Sequence, residues 1–413
     1  MTVNILFLSY DGMTDPLGQS QVLPYLKGLS ALGYNIHLVS FEKEERFSKG
    51  KDLIESICKE ANISWHPQSY TKKPPVLSTV KDVRKMWQVA AKLHQKTGFH
   101  IIHCRSYIAA LIGLKMKRRL GTKLIFDMRG FWADERVDGG LWNLKNPLYK
   151  TVYRYFKKKE IEFLQEADYT ISLTHNAAGE IHSWQKIENN PVPVQVIPCC
   201  VDLGLFDAGK LDKEEVATKR RLLGIGEDQT VLSYIGSIGT WYMLNEMLDL
   251  FRSWLQKEAS AVFLFVTPDA KEGIIAKVRE KGIPDDKILV VSAKRAEMPL
   301  YIAASDYQVF FIKPVFSKKA SSPTKQGEIM AMGKPVICNT NVGDTDYVVN
   351  KYGSGILVED FTGDEYERAI EQAKSGSFDP VKVRHGAMEF FSLEEGVRRY
   401  GEVYEKVLVG FKK

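Results

Sequence analysis

Short apolar runs, rich in β-branched and aromatic residues, alternate with apolar positions at helical spacing along the whole chain. Asn4–Ser9 reads as a strand. Gln19–Leu32 follows with helical spacing through Val22, Leu23, Leu26, Leu29 and Leu32, and Gly33 ends it where a left-handed residue costs least. Further strands are expected at Asn35–Phe41, His100–Cys104, Lys123–Asp127, Tyr169–Leu173 and Gln195–Pro198. A second series is expected at Thr230–Ile235, Ala261–Val266, Lys287–Val291, Tyr307–Ile312, Pro335–Cys338 and Gly355–Val358. Strands alternating with helices build parallel sheets covered on both faces, so the fold class is α/β. A chain of 413 residues exceeds one comfortable core, and two domains are expected. The break falls between Pro198 and Gly209, where a strand end is followed by the charged stretch Lys210–Arg221. The boundary is drawn between residues 203 and 204. The last stretch, Ser392–Gly410, reads as an amphipathic helix with Val397, Tyr400, Tyr404 and Leu408 on one side, a pattern that packing alone explains.

Composition narrows the setting. The proportions, 44% hydrophobic and 26% charged, are those of an ordinary globular protein. No uninterrupted apolar stretch is long enough for a membrane span. The opening MTVNILFLSYDG lacks a basic start and reads as a first strand, not a signal peptide. Five cysteines, without metal-ligand spacing, argue against a disulfide framework and a zinc site, and fit the reducing cytoplasm. The net charge of +6 suits anionic ligands or an anionic membrane surface, and gives little support to nucleic-acid binding.

Ligands of open parallel sheets sit beyond the carboxyl ends of the strands, so the loops there receive the chemistry, expected in a cleft between the domains. The first such loop runs from Tyr10 to Gly18 and opens a helix. A glycine at that turn lets backbone approach a phosphate, with free N–H groups behind it. It lacks the dinucleotide and P-loop signatures, which disfavours a dehydrogenase or a P-loop ATPase. The second loop, Asp127 to Arg136, is dense in charge and aromatic rings. Arg129 could clamp an anion. Asp127, Asp134 and Glu135 could hold sugar hydroxyls or orient an acceptor, and the plainer reading is an internal salt-bridge cluster. The third runs from Lys318 to Cys338. Ser321, Ser322 and Thr324 bring hydroxyls to a helix start, Lys318, Lys319 and Lys325 bring charge, and Glu328 follows one turn in. Such a helix start seats a diphosphate, and a carboxylate one turn on can accept from a ribose diol.

With these residues in view, the chain resembles glycosyltransferase family 4 over essentially its whole length. Val196 to Asp202 with Phe206 resembles the family's inter-domain "I-P-N-G-V-D…F". Tyr234 to Ser237 resembles its "Y-x-G-R" strand, and Ser322 to Val336 its "E-x7-E…G-x-P-V" donor signature. Three departures stand out. Ala320 replaces the first glutamate of the donor signature, Ser237 to Met243 replaces the usual Arg and Lys, and Cys199-Cys200 replaces Asn-Gly. No histidine stands in the second loop, where Asp127 and Arg129 lie.

The resemblance implies a GT-B fold: two Rossmann-like domains facing across a cleft, residues 1–203 binding the acceptor and 204–391 the donor, with the helix 392–413 returning to the first domain. It implies retaining transfer of a hexose-like sugar from a nucleotide diphosphate sugar to a glycan or lipid-linked saccharide, in bacterial surface polysaccharide synthesis. No metal or other cofactor is expected, and the expected location is the cytoplasm, with peripheral contact to the inner face of the plasma membrane. Glu328 would hold the ribose. Lys294, in the loop Ser292 to Arg295, would border the base. Gly18, Gly236, Ser237, Ser321, Ser322, Thr324 and Lys325 would line the donor, with Lys325, Asp127, Arg129 and Glu135 in catalytic roles. The competing readings are a nucleotide-sugar epimerase of the same architecture and a non-catalytic sugar-nucleotide-binding scaffold.

Overall fold

The computed structural model describes residues 2–409. Residues 410–413, the end of the expected last helix, lie outside the described residues. The chain divides into two compact units, one running to Pro198 and resuming at Leu393, the other covering Cys199–Ser392.

The first unit is a seven-stranded parallel sheet of β1 (Asn4–Ser9), β2 (Asn35–Glu42), β3 (Ile63–Ser69), β4 (Ile101–Arg105), β5 (Lys123–Asp127), β6 (Tyr169–Ser172) and β7 (Val194–Val196). Its order is β3-β2-β1-β4-β5-β6-β7. The second is a six-stranded parallel sheet of β8 (Val231–Ile235), β9 (Val262–Val266), β10 (Ile288–Val291), β11 (Tyr307–Phe310), β12 (Val336–Asn339) and β13 (Gly355–Val358). Its order is β10-β9-β8-β11-β12-β13. Central strands such as β4, β8 and β9 are buried at every position, because helices cover both faces of each sheet. Both sheets have the doubly wound, Rossmann-like order expected of an α/β GT-B chain.

Four local departures have physical causes. The strand β3 was not expected: it pairs only with β2, is largely half-exposed, and contains Pro67, which weakens the sequence signal for a strand. The single helix expected over Gln19–Leu32 is two, Pro16–Gln21 and Leu23–Ala31, with the break at Val22 just before Pro24. The strand expected to reach Ile312 stops at Phe310, and the Asn339 side chain takes over the pairing: the Ile312 N–H donates to it at 2.8 Å and its amide donates to the Ile312 carbonyl at 2.9 Å. The unit boundary falls at 198/199 and not 203/204, because the Val201 N–H donates to the Phe391 carbonyl at 2.7 Å and ties this segment to the second unit.

The final helix, Leu393–Leu408, is part of the first unit. Its Tyr404 hydroxyl lies 2.7 Å from His103 Nδ1, and Tyr400 donates to Asp127 Oδ2 at 3.0 Å. Tyr25 and Tyr34 pack edge-on against Tyr400 and Tyr404. The side chains Tyr404, His103, Asp127 and Tyr400 thus form one buried polar chain inside an apolar seam. All five cysteines are buried. Among the described residues no helix is long and apolar enough to cross a membrane.

Tyr404→Phe removes a hydroxyl from His103 and leaves a buried ring nitrogen unpaired. A loss of about 1–2 kcal/mol in urea unfolding of the first unit is expected. An unchanged unfolding midpoint would mean that the pair holds nothing together.

Candidate functional site

A doubly wound sheet has one place where consecutive crossovers leave in opposite directions, and the crevice there receives ligands. In the second unit that place lies between β8 and β11. The turn after β8 is made by Gly236 with φ +97°, a value side-chain-bearing residues rarely adopt. The Ser237 hydroxyl donates to Asp269 at 2.9 Å, and the Ile238 N–H donates to the same carboxylate at 2.6 Å. The loop then returns through Trp241 and Tyr242. The Lys313 N–H donates to the Trp241 carbonyl at 3.0 Å, and Tyr242 bridges to Ile312, so the loops after β8 and β11 are stitched together.

Lys325 stands on the first turn of the helix Thr324–Ala331 and points at this turn. Its Nζ lies 3.8 Å from the Tyr234 ring centroid and 3.5 Å from that of Tyr242. The nitrogen is buried and has no hydrogen-bond partner among the described residues. Desolvating an ammonium costs several kcal/mol, and a ring face returns about 2 kcal/mol at best. Burial therefore wins, and the Lys325 pKa falls well below the ordinary lysine value, with Glu328 pulling weakly the other way. Glu328, one turn further and almost wholly buried, accepts from Arg295 Nη1 at 2.8 Å. The Arg295 side chain is 47% exposed and rests over the Phe206 ring, so it can leave the carboxylate when another donor arrives.

The remaining expected donor residues are placed differently. Lys294 is exposed, and its backbone N–H donates to Glu297 at 2.8 Å. Ser322 accepts from the Cys199 N–H at 3.0 Å, securing the loop in place of capping the helix. Pro323 takes the capping position and Thr324 begins the helix, without a side-chain cap. Ser321 is half-buried just outside it. Lys318 is buried with its Nζ 3.6 Å from the Trp241 ring. Ala320, at the place of the family's first glutamate, is buried, so a small side chain fills that wall.

In the first unit the crevice lies between β1 and β4. Gly18 packs on the preceding loop: a Cβ there would stand 2.3 Å from the Gly12 carbonyl oxygen. That loop closes on the buried Glu42 carboxylate, which accepts from Met13 N–H at 2.7 Å, Thr14 hydroxyl at 2.6 Å and Ser40 hydroxyl at 2.6 Å. Asp127 is 1% exposed at the end of β5, with His103 Nε2 at 3.5 Å and Arg129 Nη1 at 3.9 Å. Burial raises its pKa, but the guanidinium of Arg129, with His103 and Arg105 behind it, holds it below the usual carboxylate value. Burial keeps His103 below its usual value despite the pull of Asp127, so a charged carboxylate faces a neutral ring. Arg129 has φ +59°. Asp134 accepts from Tyr153 at 2.8 Å and pairs with Lys157 at 2.7 Å, the internal cluster that was the plainer reading of this loop. Glu135 lies half-buried on the first turn of the helix Trp132–Asp138.

Sequence reasoning passed over His103 and Arg105, because both lie in or at the end of a buried strand. The signal was present: charged and polar residues in β4, IIHCR, have no reason to be there unless something pairs with them.

The description Glycosyltransferase Family 4 matches residues 19–205, and Glycosyl transferases group 1 matches residues 215–387. No curated protein matches the chain. Among solved structures it is similar to sucrose-phosphate synthase from Thermosynechococcus elongatus (15% identity, TM-score 0.71, covering 99% of this chain and 100% of that one). It is similar to a glycosyltransferase from Rickettsia africae ESF-5 (16%, 0.72, 99% and 99%). It is also similar to HepE of Anabaena in complex with UDP and glucose (13%, 0.67, 97% and 99%). At these identities the likeness shows the fold.

Lys325→Met keeps the shape and removes the desolvated amine, so about 1–3 kcal/mol of added stability is expected at neutral pH. The folded pKa lies below the 10.5 of an ordinary lysine. Between those two values the unfolded chain holds more protons, so wild-type stability rises with pH across that window. The stability difference between the two proteins should narrow on that rise, and a constant difference from pH 7 to 10 would contradict it.

Proposed function

We propose that this chain, which belongs to the GT-B glycosyltransferases of family 4 and group 1, transfers a sugar from a nucleoside diphosphate sugar to a saccharide acceptor. The observation that carries this reading is Lys325: a buried nitrogen without a hydrogen-bond partner, at the amino end of a helix, at the switch point of the second sheet. A diphosphate supplies the charge that site lacks. Glu328 exchanges Arg295 for the ribose hydroxyls. Lys325 and the first N–H groups of Thr324–Ala331 stabilise the negative charge that grows on the departing phosphate. Lys318 and Lys325 take the part of the Arg and Lys that the family carries after β8. HepE binds UDP, which makes a uridine nucleotide the first donor to try.

In the transfer, the bond from the anomeric carbon to the β-phosphate oxygen breaks and its electron pair stays on that oxygen. The acceptor hydroxyl oxygen forms the new bond, and its proton ends on the departing phosphate. Retention of configuration follows the resemblance and requires no protein nucleophile. The first unit takes the acceptor, a glycan or lipid-linked saccharide of a bacterial surface polysaccharide, and no metal is needed. Asp127 is enclosed by Tyr400, His103 and Arg129, which makes it a positioning residue for the loop that carries Arg129.

The donor reading is tested by thermal shift with UDP, GDP, ADP and their glucose conjugates. A ligand at 100 times its dissociation constant adds about 2.7 kcal/mol. One base is expected to shift the protein selectively. Lys325→Ala is expected to weaken that ligand roughly 10- to 100-fold, the loss of one charge-assisted contact. No shift with any nucleotide would favour a scaffold, and a product sugar released as its C2 epimer would favour an epimerase.

The membrane side of the reading rests on one helix. Of the two basic segments, Lys115–Arg119 is taken up internally: Lys117 pairs with Asp168, Arg118 with Glu162 and Glu166, and Lys115 lies over Trp87. The helix Pro147–Glu166 instead exposes Leu148 and Tyr155 beside Lys150, Arg154 and Lys158. Flotation with phosphatidylserine vesicles at low salt is expected to carry the protein up and to fail in high salt. A protein that stays at the bottom in both has no such surface.

A further inference from the structure

The crevice of the first unit holds a buried guanidinium, Arg105, whose one use so far is to act at a distance on the Asp127 carboxylate. Arg105 ends β4, whose neighbours in register are Ser9 of β1 and Asp127 of β5. It therefore stands at the parting of β1 and β4, where a doubly wound sheet receives its ligand. The residue is 5% exposed. Among the described residues its guanidinium makes no hydrogen bond, and its Nε is enclosed with no hydrogen-bond partner. Its one ion pair is to Asp11, at 3.5 Å, and that carboxylate is 51% exposed. A pair to a half-exposed partner at that distance does little for a buried guanidinium.

Two more features converge there. Arg105 is the residue preceding the 15-residue helix Ser106–Leu120, whose start carries no side-chain cap. The first N–H groups of that helix and its dipole thus open at the same place. Ser106 enters the helix with φ +67°, an unfavourable backbone for a serine, which marks a turn held by its surroundings. Arg129, at the end of the next strand, adds a second guanidinium and is anchored by Asp127. A bidentate donor set, free helix N–H groups and an exposed carboxylate that can swing away together suit a planar or tetrahedral oxyanion.

We propose that Arg105 and the amino end of Ser106–Leu120 bind an oxyanion, phosphate or carboxylate, carried by the saccharide acceptor. The assignment to the acceptor rests on the reading that the first unit takes the acceptor. Asp11 holds the place of that anion while the site is empty and is displaced when the anion enters.

Binding is measured by calorimetry without nucleotide, using glucose 6-phosphate, glucuronate, inorganic phosphate and glucose as probes. At least one anionic sugar is expected to bind, and glucose is not. Arg105→Met is expected to weaken that binding roughly tenfold or more, the loss of a charge-assisted pair. Lys325→Ala, in the other unit, is expected to leave it intact. Asp11→Asn alters an exposed side chain, so folding is not at stake, and it is expected to tighten the anion about threefold by removing a competing surface charge. Equal binding by Arg105→Met, loss in Lys325→Ala, no tightening in Asp11→Asn, or no anionic sugar bound at all would each overturn the proposal. Inorganic phosphate binding as tightly as the sugar phosphate would overturn its assignment to an acceptor. The donor reading fails separately, by the absence of a nucleotide shift in the wild-type protein.

Discussion

Where its parallel sheet parts, the first unit buries Arg105 and the second Lys325, and neither side chain makes a hydrogen bond among the described residues. That constraint organises much of what surrounds them. A parallel sheet puts all its strand ends and all its helix starts along one edge. The helix starts make the edge rich in N–H groups, and a lysine or arginine placed beside them faces like polarity. Folding alone gains nothing from such a charge. The arrangement makes physical sense when an anion completes it, which is why both crevices are read as ligand sites.

The two units shield their cations in different ways. Lys325 sits between the faces of Tyr234 and Tyr242, a cover that is apolar, polarisable and weak beside the desolvation it offsets. Arg105 has a carboxylate instead, but one at 3.5 Å and half in solvent. Both covers can be given up at small cost. Contrast the Asp134, Lys157 and Glu160 cluster, where the lysine sits between the two carboxylates, Tyr153 donates to Asp134 and Tyr107 donates to Glu160. That cluster is built to stay closed and joins the helices Trp132–Asp138 and Pro147–Glu166. The difference between satisfied and unsatisfied buried charge separates structural from functional polar groups here better than charge density along the sequence does.

Much of the fold was legible because central parallel strands must be apolar at every position, and runs such as VFLFV have few alternatives. The edge strand β3 was not, since every residue after Ile63 is at least partly exposed and Pro67 interrupts it. In the site, the spacing from Lys325 to Glu328 could be read directly, because both lie on one short helix. Ser237 and Ser322 could not: their hydroxyls are engaged by Asp269 and by the Cys199 N–H, partners 32 and 123 residues away. Asp127 read as a free carboxylate in a charged loop, and only the tertiary fold shows Tyr400 closing over it from 273 residues further on. Arg105 was hidden for the opposite reason. It ends a run that counts as a strand, and a strand reading asks nothing further of its last side chain.

The replacement of the family's basic pair by the segment carrying Trp241 and Tyr242 gains a meaning from this geometry. A basic residue at that turn would stand beside Lys325 and repel it, deepening the charge deficit that a diphosphate must fill. An aromatic residue there holds the lysine without neutralising it, so the turn adds no cation of its own. Trp241 does the same for Lys318, whose Nζ lies over its ring. The loop after β8 is fastened to Asp269 and to the strand end at Ile312, so the rings are carried on a fixed frame. On the proposed donor reading, charge comes from Lys318 and Lys325, and not from the turn. On that reading the charge is supplied by Phe316–Ala320 and by the start of Thr324–Ala331, which makes the departure from the family pattern at this turn compatible with the same use of the fold.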